Sequence, residues 1–165
     1  MTQVLQLPEK SQTGQISATS ILTQASTKIT PEIKKVIRYF VISDVHLGCK
    51  RNPAVDMLVG LRELLAIDKD NVLELDILFI AGDLFDSALW FSNEDVSHIL
   101  LFMRELMAWC EKFKIRLRVL EGTPSHDRGQ SRNLLPISKT FFNLDFRYIE
   151  TMFVEGFEDL GLTCL

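Results

Sequence analysis

An α/β fold with a largely parallel sheet is what this sequence predicts, on three observations. Short apolar runs alternate with longer segments of helical periodicity. Each run stops at a polar cluster that holds a carboxylate. The helical segments are long enough to carry the chain back between parallel strands.

Taken in order, Val36-Ile37-Arg38-Tyr39-Phe40-Val41-Ile42 is β-branched and aromatic and reads as a buried strand. Pro53 then opens a helix whose apolar residues Met57, Leu58, Leu61, Leu64 and Leu65 recur at spacings of three and four, which buries one face. Ile77-Leu78-Phe79-Ile80-Ala81 is the second strand. The second helix starts near Ser92, where Asp95 completes a capping box. Its stripe is Val96, Ile99, Leu100, Met103, Leu106, Met107 and Cys110. Ile115 to Leu120 forms a third strand, and Phe146 to Val154 reads as another. Residues 1–30 are polar and rich in Ser, Thr and Gln, and are expected to be a flexible tail. Residues 31–165 carry the domain.

The 165 residues fit one domain. An apolar fraction of 47% and a charged fraction of 24% exclude a disordered or collagen-like chain. A formal charge of −4 gives no global electrostatic drive toward nucleic acid, although a local basic rim can supply one. Three scattered cysteines without a CxxC pair indicate neither a zinc knuckle nor a disulfide framework, which fits a reducing cytoplasm. The chain has no apolar run of the roughly 18 residues that a membrane span needs, and its start lacks the pattern of a signal peptide.

The chemistry collects at the strand ends. The clusters are Asp44-Val45-His46-Leu47-Gly48, Gly82-Asp83-Leu84-Phe85-Asp86 and Gly122-Thr123-Pro124-Ser125-His126-Asp127. Parallel strands bring them to one edge, where open α/β sheets bind ligands. Converging carboxylates repel unless cations neutralise them, so a metal site is the natural solution. Mixed oxygen and nitrogen donors suit manganese, iron or zinc better than calcium. Asp44 and His46, two apart at a strand end, are expected on one side. His98, off the apolar stripe of the second helix, reads as a structural or solvated histidine and not as a ligand. Adjacent Ser125, His126 and Asp127 cannot easily form a hydrolytic relay, and a GxSxG elbow is missing.

Asp44-x-His46, Gly82-Asp83-x-x-Asp86 and His126-Asp127 together resemble the calcineurin-like metallophosphoesterase superfamily. The forms of the first two motifs are most similar to DNA exonuclease subunits of the SbcD type, and the third resembles phage-encoded members. The resemblance spans about residues 36–165. It implies a β-sandwich flanked by helices (αββα) and a pair of divalent ions, usually Mn²⁺. It implies Asp44 and His46 as ligands of the first metal, Asp83 as the bridge, and His126 as the group that protonates the leaving oxygen. Asp86 would orient His126. The family's third motif carries Asn before the histidine; here Ser125 stands in that place, a weaker ligand for the second metal. The resemblance further implies DNA as substrate, an SMC-like ATPase partner of the SbcC type, a second copy of the chain as another partner, and a cytoplasmic location. Lys50, Arg51, Arg128 and Arg132 flank the motifs and are candidate contacts to DNA phosphates. Lys112, Lys114, Arg116 and Arg118 flank or alternate along a strand and carry less information.

The family takes further metal-binding histidines from later motifs, and no histidine follows His126. The chain therefore resembles the N-terminal half of such an enzyme, with weak metal affinity and little activity expected of it alone. Two other functions fit the same residues: a small phosphodiesterase or phosphatase, and a non-catalytic scaffold with an incomplete site.

Overall fold

The computed structural model describes residues 36–165 apart from 52, 87 and 90–93. The expected tail at residues 1–30 lies outside these residues. Four parallel strands form the central sheet: β1 (Tyr39–Ile42), β2 (Ile77–Ala81), β3 (Arg116–Leu120) and β4 (Phe146–Ile149), in the spatial order β1-β2-β3-β4. Helix α1 (Ala54–Leu65) joins β1 to β2, and α2 (Glu94–Phe113) joins β2 to β3. A 3-10 turn at Gln130–Asn133 and the short α3 (Leu134–Ser138) lead from β3 toward β4. A two-stranded antiparallel hairpin follows, β5 (Glu155–Phe157) and β6 (Leu162–Cys164).

Strands added in chain order by right-handed crossovers place every connecting helix on one face. The main core lies there. Phe40, Ile42, Leu78, Ile80, Leu117, Val119 and Phe146 of the sheet meet Leu58 and Leu65 of α1, and Ile99, Phe102, Met103 and Leu106 of α2. A fully buried side chain of this kind contributes about 1.5–3 kcal/mol. The hairpin covers part of the opposite face, where Phe157 and Leu160 pack on Ile77 and Phe79. The result is an α/β fold with a parallel sheet flanked by helices, as in a partial metallophosphoesterase-type arrangement. In place of a full second sheet, the described residues provide this hairpin.

Several boundaries differ from expectation. The first strand begins at Tyr39, because Asp76 and Ile77 already donate to Arg38 O and the parallel register starts beyond it. The predicted strand from Phe146 to Val154 stops at Ile149. That residue pairs with Leu120, the last of β3, so residues 150–154 have no neighbouring strand to bond. Met152 and Val154 are accordingly exposed. Leu64 and Leu100, placed on buried faces by their spacing, are exposed, while Phe102 and Trp109 are buried. The apolar face of α2 is therefore wider than the expected stripe. The expected cap at Ser92 lies outside the described residues. Glu94 and Asp95 occupy the first turn of α2, where acidic side chains complement the helix dipole. His98 is exposed, as expected.

Candidate metal centre

The loops that leave β1 and β2 continue side by side beyond the sheet. His46 N donates to Asp83 O at 3.0 Å, Leu47 N to Leu84 O at 2.8 Å, and Asp86 N back to Leu47 O at 3.0 Å. This ladder aligns the first two motifs residue against residue. Asp44, His46 and Asp83 all have left-handed backbone, with φ of 54°, 53° and 49°. Such angles are uncommon outside glycine, and residues held there cluster at functional sites. They also change the expected geometry, since Asp44 and His46 are not related by the two-residue repeat of an extended strand.

The third motif is locked onto the second. A Cβ on Gly122 would lie 2.1 Å from Asp83 N and 2.3 Å from Asp83 Oδ1, so only glycine allows this approach. Asp127, fully buried, accepts Phe85 N–H at 2.8 Å and Gly122 N–H at 2.7 Å. One carboxylate thus fastens the two loops together. Glu121 accepts Gly129 N–H and the Tyr148 hydroxyl, both at 2.7 Å, and ties the far end of the third loop to β4.

Within this frame, ligand atoms of His46, Asp83 and His126 all lie within 4.8 Å of one another. The two imidazoles meet edge to face, with centroids 4.4 Å apart. Asp86 Oδ1 lies 3.4 Å from His46 Nδ1 and 3.8 Å from His126 Nδ1. His126 Nδ1 is also 3.3 Å from the backbone oxygen of Asp86. For His126, a ring proton on Nδ1 directed at the Asp86 backbone oxygen would leave Nε2 with its lone pair, the usual orientation of a metal-binding histidine. His46 Nδ1 is buried yet forms no aligned hydrogen bond. An orphaned polar atom of this kind calls for an explanation, and a metal-ligand role for this imidazole would supply one.

Asp83 is prepared for the anionic state. Its Oδ1 accepts Thr123 N–H at 2.6 Å and the Thr123 hydroxyl at 3.1 Å. The Thr123 backbone bond is the largest influence holding this carboxyl below its usual range. Desolvation opposes it, while the Thr123 hydroxyl, His126 and His46 reinforce it. Two imidazoles and one ionised carboxylate fit a divalent transition metal, with remaining positions open to water or substrate.

The other expected residues fall around this centre. Asp44 is exposed and sits outside the tight group. With Gly82, Asp83, Glu121, Thr123 and Pro124 it lines an open depression of about 420 Å³. Ser125 is exposed, its hydroxyl 3.0 Å from that of Thr123. Ser125, His126 and Asp127 form no relay, because Asp127 is turned to backbone N–H groups. Lys50, Arg51 and Arg128 are exposed. Arg132 is engaged by both carboxylate oxygens of Glu150 at 2.5 Å. Thr123, Glu121 and Asp127 have roles the sequence did not assign. The signal for Thr123 was its place directly after Gly122, the glycine that follows β3.

Compared with known proteins, the chain matches no family model and no curated protein. Its likeness to metallophosphoesterases therefore stands on the three motifs, the parallel sheet and the His46–Asp83–His126 group.

Proposed function

We propose that this chain is a metal-dependent hydrolase of the metallophosphoesterase superfamily, and that its substrate is a phosphodiester of DNA. The carrying observation is the convergence of His46, Asp83 and His126 at the carboxyl edge of a parallel sheet. A bound divalent ion would act there as a Lewis acid and lower the pKa of a water molecule. Thr123 keeps Asp83 ionised and fixed. The Asp86 backbone oxygen, 3.3 Å from Nδ1, would orient the His126 ring, and the Asp86 carboxylate lies beside both imidazoles.

His126 stands where it can complete the ligand set or pass a proton to a leaving oxygen. One nitrogen cannot do both at once. Its position in the 4.8 Å group favours the ligand role at rest. The Mn²⁺ pair implied by the resemblance needs ligands beyond these three.

The depression beside Asp83 is open and lined by backbone-rich loops, which suits a polymer better than an enclosed small molecule. Exposed Lys50, Arg51 and Arg128 are available to its phosphates. An apolar groove of about 460 Å³ lined by Phe79, Leu120, Ile149 and Phe153 contains none of the three ligands. The ATPase partner of the SbcC type belongs to the same proposal.

The test compares linear duplex DNA with a chromogenic phosphodiester, with and without Mn²⁺. Mn²⁺-dependent cleavage of DNA that Asp83→Asn abolishes is expected. Cleavage of the small ester alone would shift the assignment to a small phosphodiesterase. Metal binding without cleavage of either would make the chain a non-catalytic scaffold.

A further inference from the structure

We infer that Arg128 is the residue that holds a backbone phosphate next to the scissile one, and that the turn from Asp127 to Gln130 presents it. The inference rests on the phosphodiester reading above and singles out one of its basic residues.

Gln130 N donates to Asp127 O at 2.8 Å, which closes a four-residue turn. Its two central residues, Arg128 and Gly129, have φ of 48° and 75°, and Gly129 has ψ of 9°. Positive φ at both central positions marks a type I′ turn, where Asn, Asp and Gly are preferred. Gly129 follows that preference. Arg128 does not, because its long side chain gains nothing from the turn and its backbone bears the strain of the left-handed region. A residue that breaks a local rule in this way belongs to a functional site more often than to a scaffold.

The other three residues of the turn are fastened. The buried Asp127 carboxylate accepts Phe85 N–H at 2.8 Å and Gly122 N–H at 2.7 Å. Glu121 accepts Gly129 N–H at 2.7 Å. The Gln130 side-chain oxygen accepts Leu89 N–H at 2.6 Å. The Arg128 backbone is therefore held from both sides. Its side chain is exposed and pairs with no carboxylate among the described residues. Arg132, on the same segment, is instead neutralised by Glu150.

Chain geometry places the free charge. Arg128 lies two residues from His126, so their Cα atoms are within about 7 Å. A guanidinium seated in the centre itself would bear on the Asp83 carboxylate. The charges that act on Asp83 are those of His126 and His46, and not that of Arg128. Arg128 thus stands beside the metal ligands and not among them, where the neighbouring phosphate of a bound strand would pass. A planar guanidinium matches two phosphate oxygens at once. Mounting it on a clamped turn lowers the ordering cost of binding.

The test loads the full 165-residue chain with Mn²⁺ and titrates it onto a labelled DNA duplex with phosphorothioate linkages, which slow cleavage. Affinity is read by fluorescence anisotropy between about 50 and 200 mM salt. Mn²⁺ uptake and thermal melts are measured in parallel. Arg128→Asn suits the type I′ turn and is expected to melt about 2 °C higher. It is expected to bind the duplex about tenfold more weakly, with a salt slope smaller by about 0.9. Arg128→Lys keeps the charge and is expected to keep the slope while losing part of the affinity. A merely structural residue would move stability and affinity in the same direction, whereas these are expected to move apart. Arg128→Asn with unchanged affinity and slope would overturn the inference, and normal Mn²⁺ uptake would leave the metal-dependent reading standing. A lower melting temperature with weaker binding and an unchanged slope would make Arg128 structural and also overturn it. No binding of the duplex by the unaltered chain at about 50 mM salt would overturn both the inference and the DNA assignment. Should Arg128→Asn fail to fold, the argument from the turn falls, and Arg128→Gln decides the phosphate contact by the same slope.

Discussion

On the sheet face away from the helices, Arg118 meets Glu155 at 2.8 and 2.9 Å and Asp145 at 2.9 Å. At the carboxyl edge of the same sheet, His46 keeps a buried Nδ1 without an aligned partner, and Asp44, His46 and Asp83 hold left-handed backbone. Both regions are rich in charge, but only one is internally satisfied. Arg118 is 2% exposed, and its guanidinium is matched by two carboxylates and the Asp145 backbone oxygen. That is how a buried charge is made tolerable, and it fastens the β5–β6 hairpin to the sheet. The histidine cluster leaves a buried ring nitrogen of His46 without a hydrogen bond. The difference separates a structural ionic network from a candidate metal site.

The largest expected effect lies in the arginine network. Arg118→Ala leaves mostly buried Glu155 with only Arg147 at 3.4 Å, while half-exposed Asp145 keeps Arg116 at 3.4 Å, so the loss is expected toward the lower end of the roughly 3–5 kcal/mol of a broken buried pair. Urea unfolding would register the loss. Replacing Arg118 and Glu155 together by apolar residues should recover much of it; failure to recover would mean that the network does more than balance charge.

Gly122→Ala comes next. The added carbon meets backbone at Asp83, not a flexible side-chain tip, so the loops must separate. A stability loss of about 1–3 kcal/mol is expected, as for other overpacked sites, together with weaker Mn²⁺ binding. Calorimetric titration and thermal melts would report the two effects separately.

Asp83→Asn and His126→Gln probe the metal centre with less effect on the fold. Asn tolerates left-handed backbone and keeps an oxygen for Thr123 N–H, so Asp83→Asn should unfold close to the unaltered protein while Mn²⁺ affinity collapses. His126→Gln should weaken Mn²⁺ about 10- to 100-fold if His126 is a ligand. Unchanged affinity with a slowed reaction would return it to the proton-donor role.

The smallest effect is at Tyr148. Burial, followed by the bond to Glu121, pushes its phenol up to about 12. A phenol raised in the folded state lends stability that is complete below the unfolded value near 10. That stability is lost as pH rises through about 12. Ultraviolet titration of Tyr39→Phe should show the high step, and unfolding the protein should bring it down.

Much of the architecture was legible because parallel strands write themselves as continuous apolar runs. Ile77 to Ala81 and Arg116 to Leu120 fall where the pattern put them, to within a residue. The end of β4 was not legible, since Phe146 to Val154 keeps strand character throughout, and only the length of β3 decides where pairing stops. Arg118 was undervalued for a related reason. Alternation along a strand says that a side chain faces away from the core, but not that a later hairpin covers it.

In the site, the motifs named the residue types and the parallel topology brought them to one edge. Backbone detail escaped the sequence. Counting back from His126 made Ser125 the stand-in for the missing Asn. The chain instead puts Thr123 against Asp83, because Gly122 turns directly onto that loop. Asp127 was visible as a motif residue, yet its function as a clamp depends on two N–H groups 42 and 5 residues away.

Anomalous diffraction from crystals of the full chain equilibrated with Mn²⁺ tests the central claim most directly. A single strong peak bounded by His46, Asp83 and His126 is the predicted result. No peak in that position, or one held by other residues, would contradict the assignment of this edge of the sheet as the metal centre.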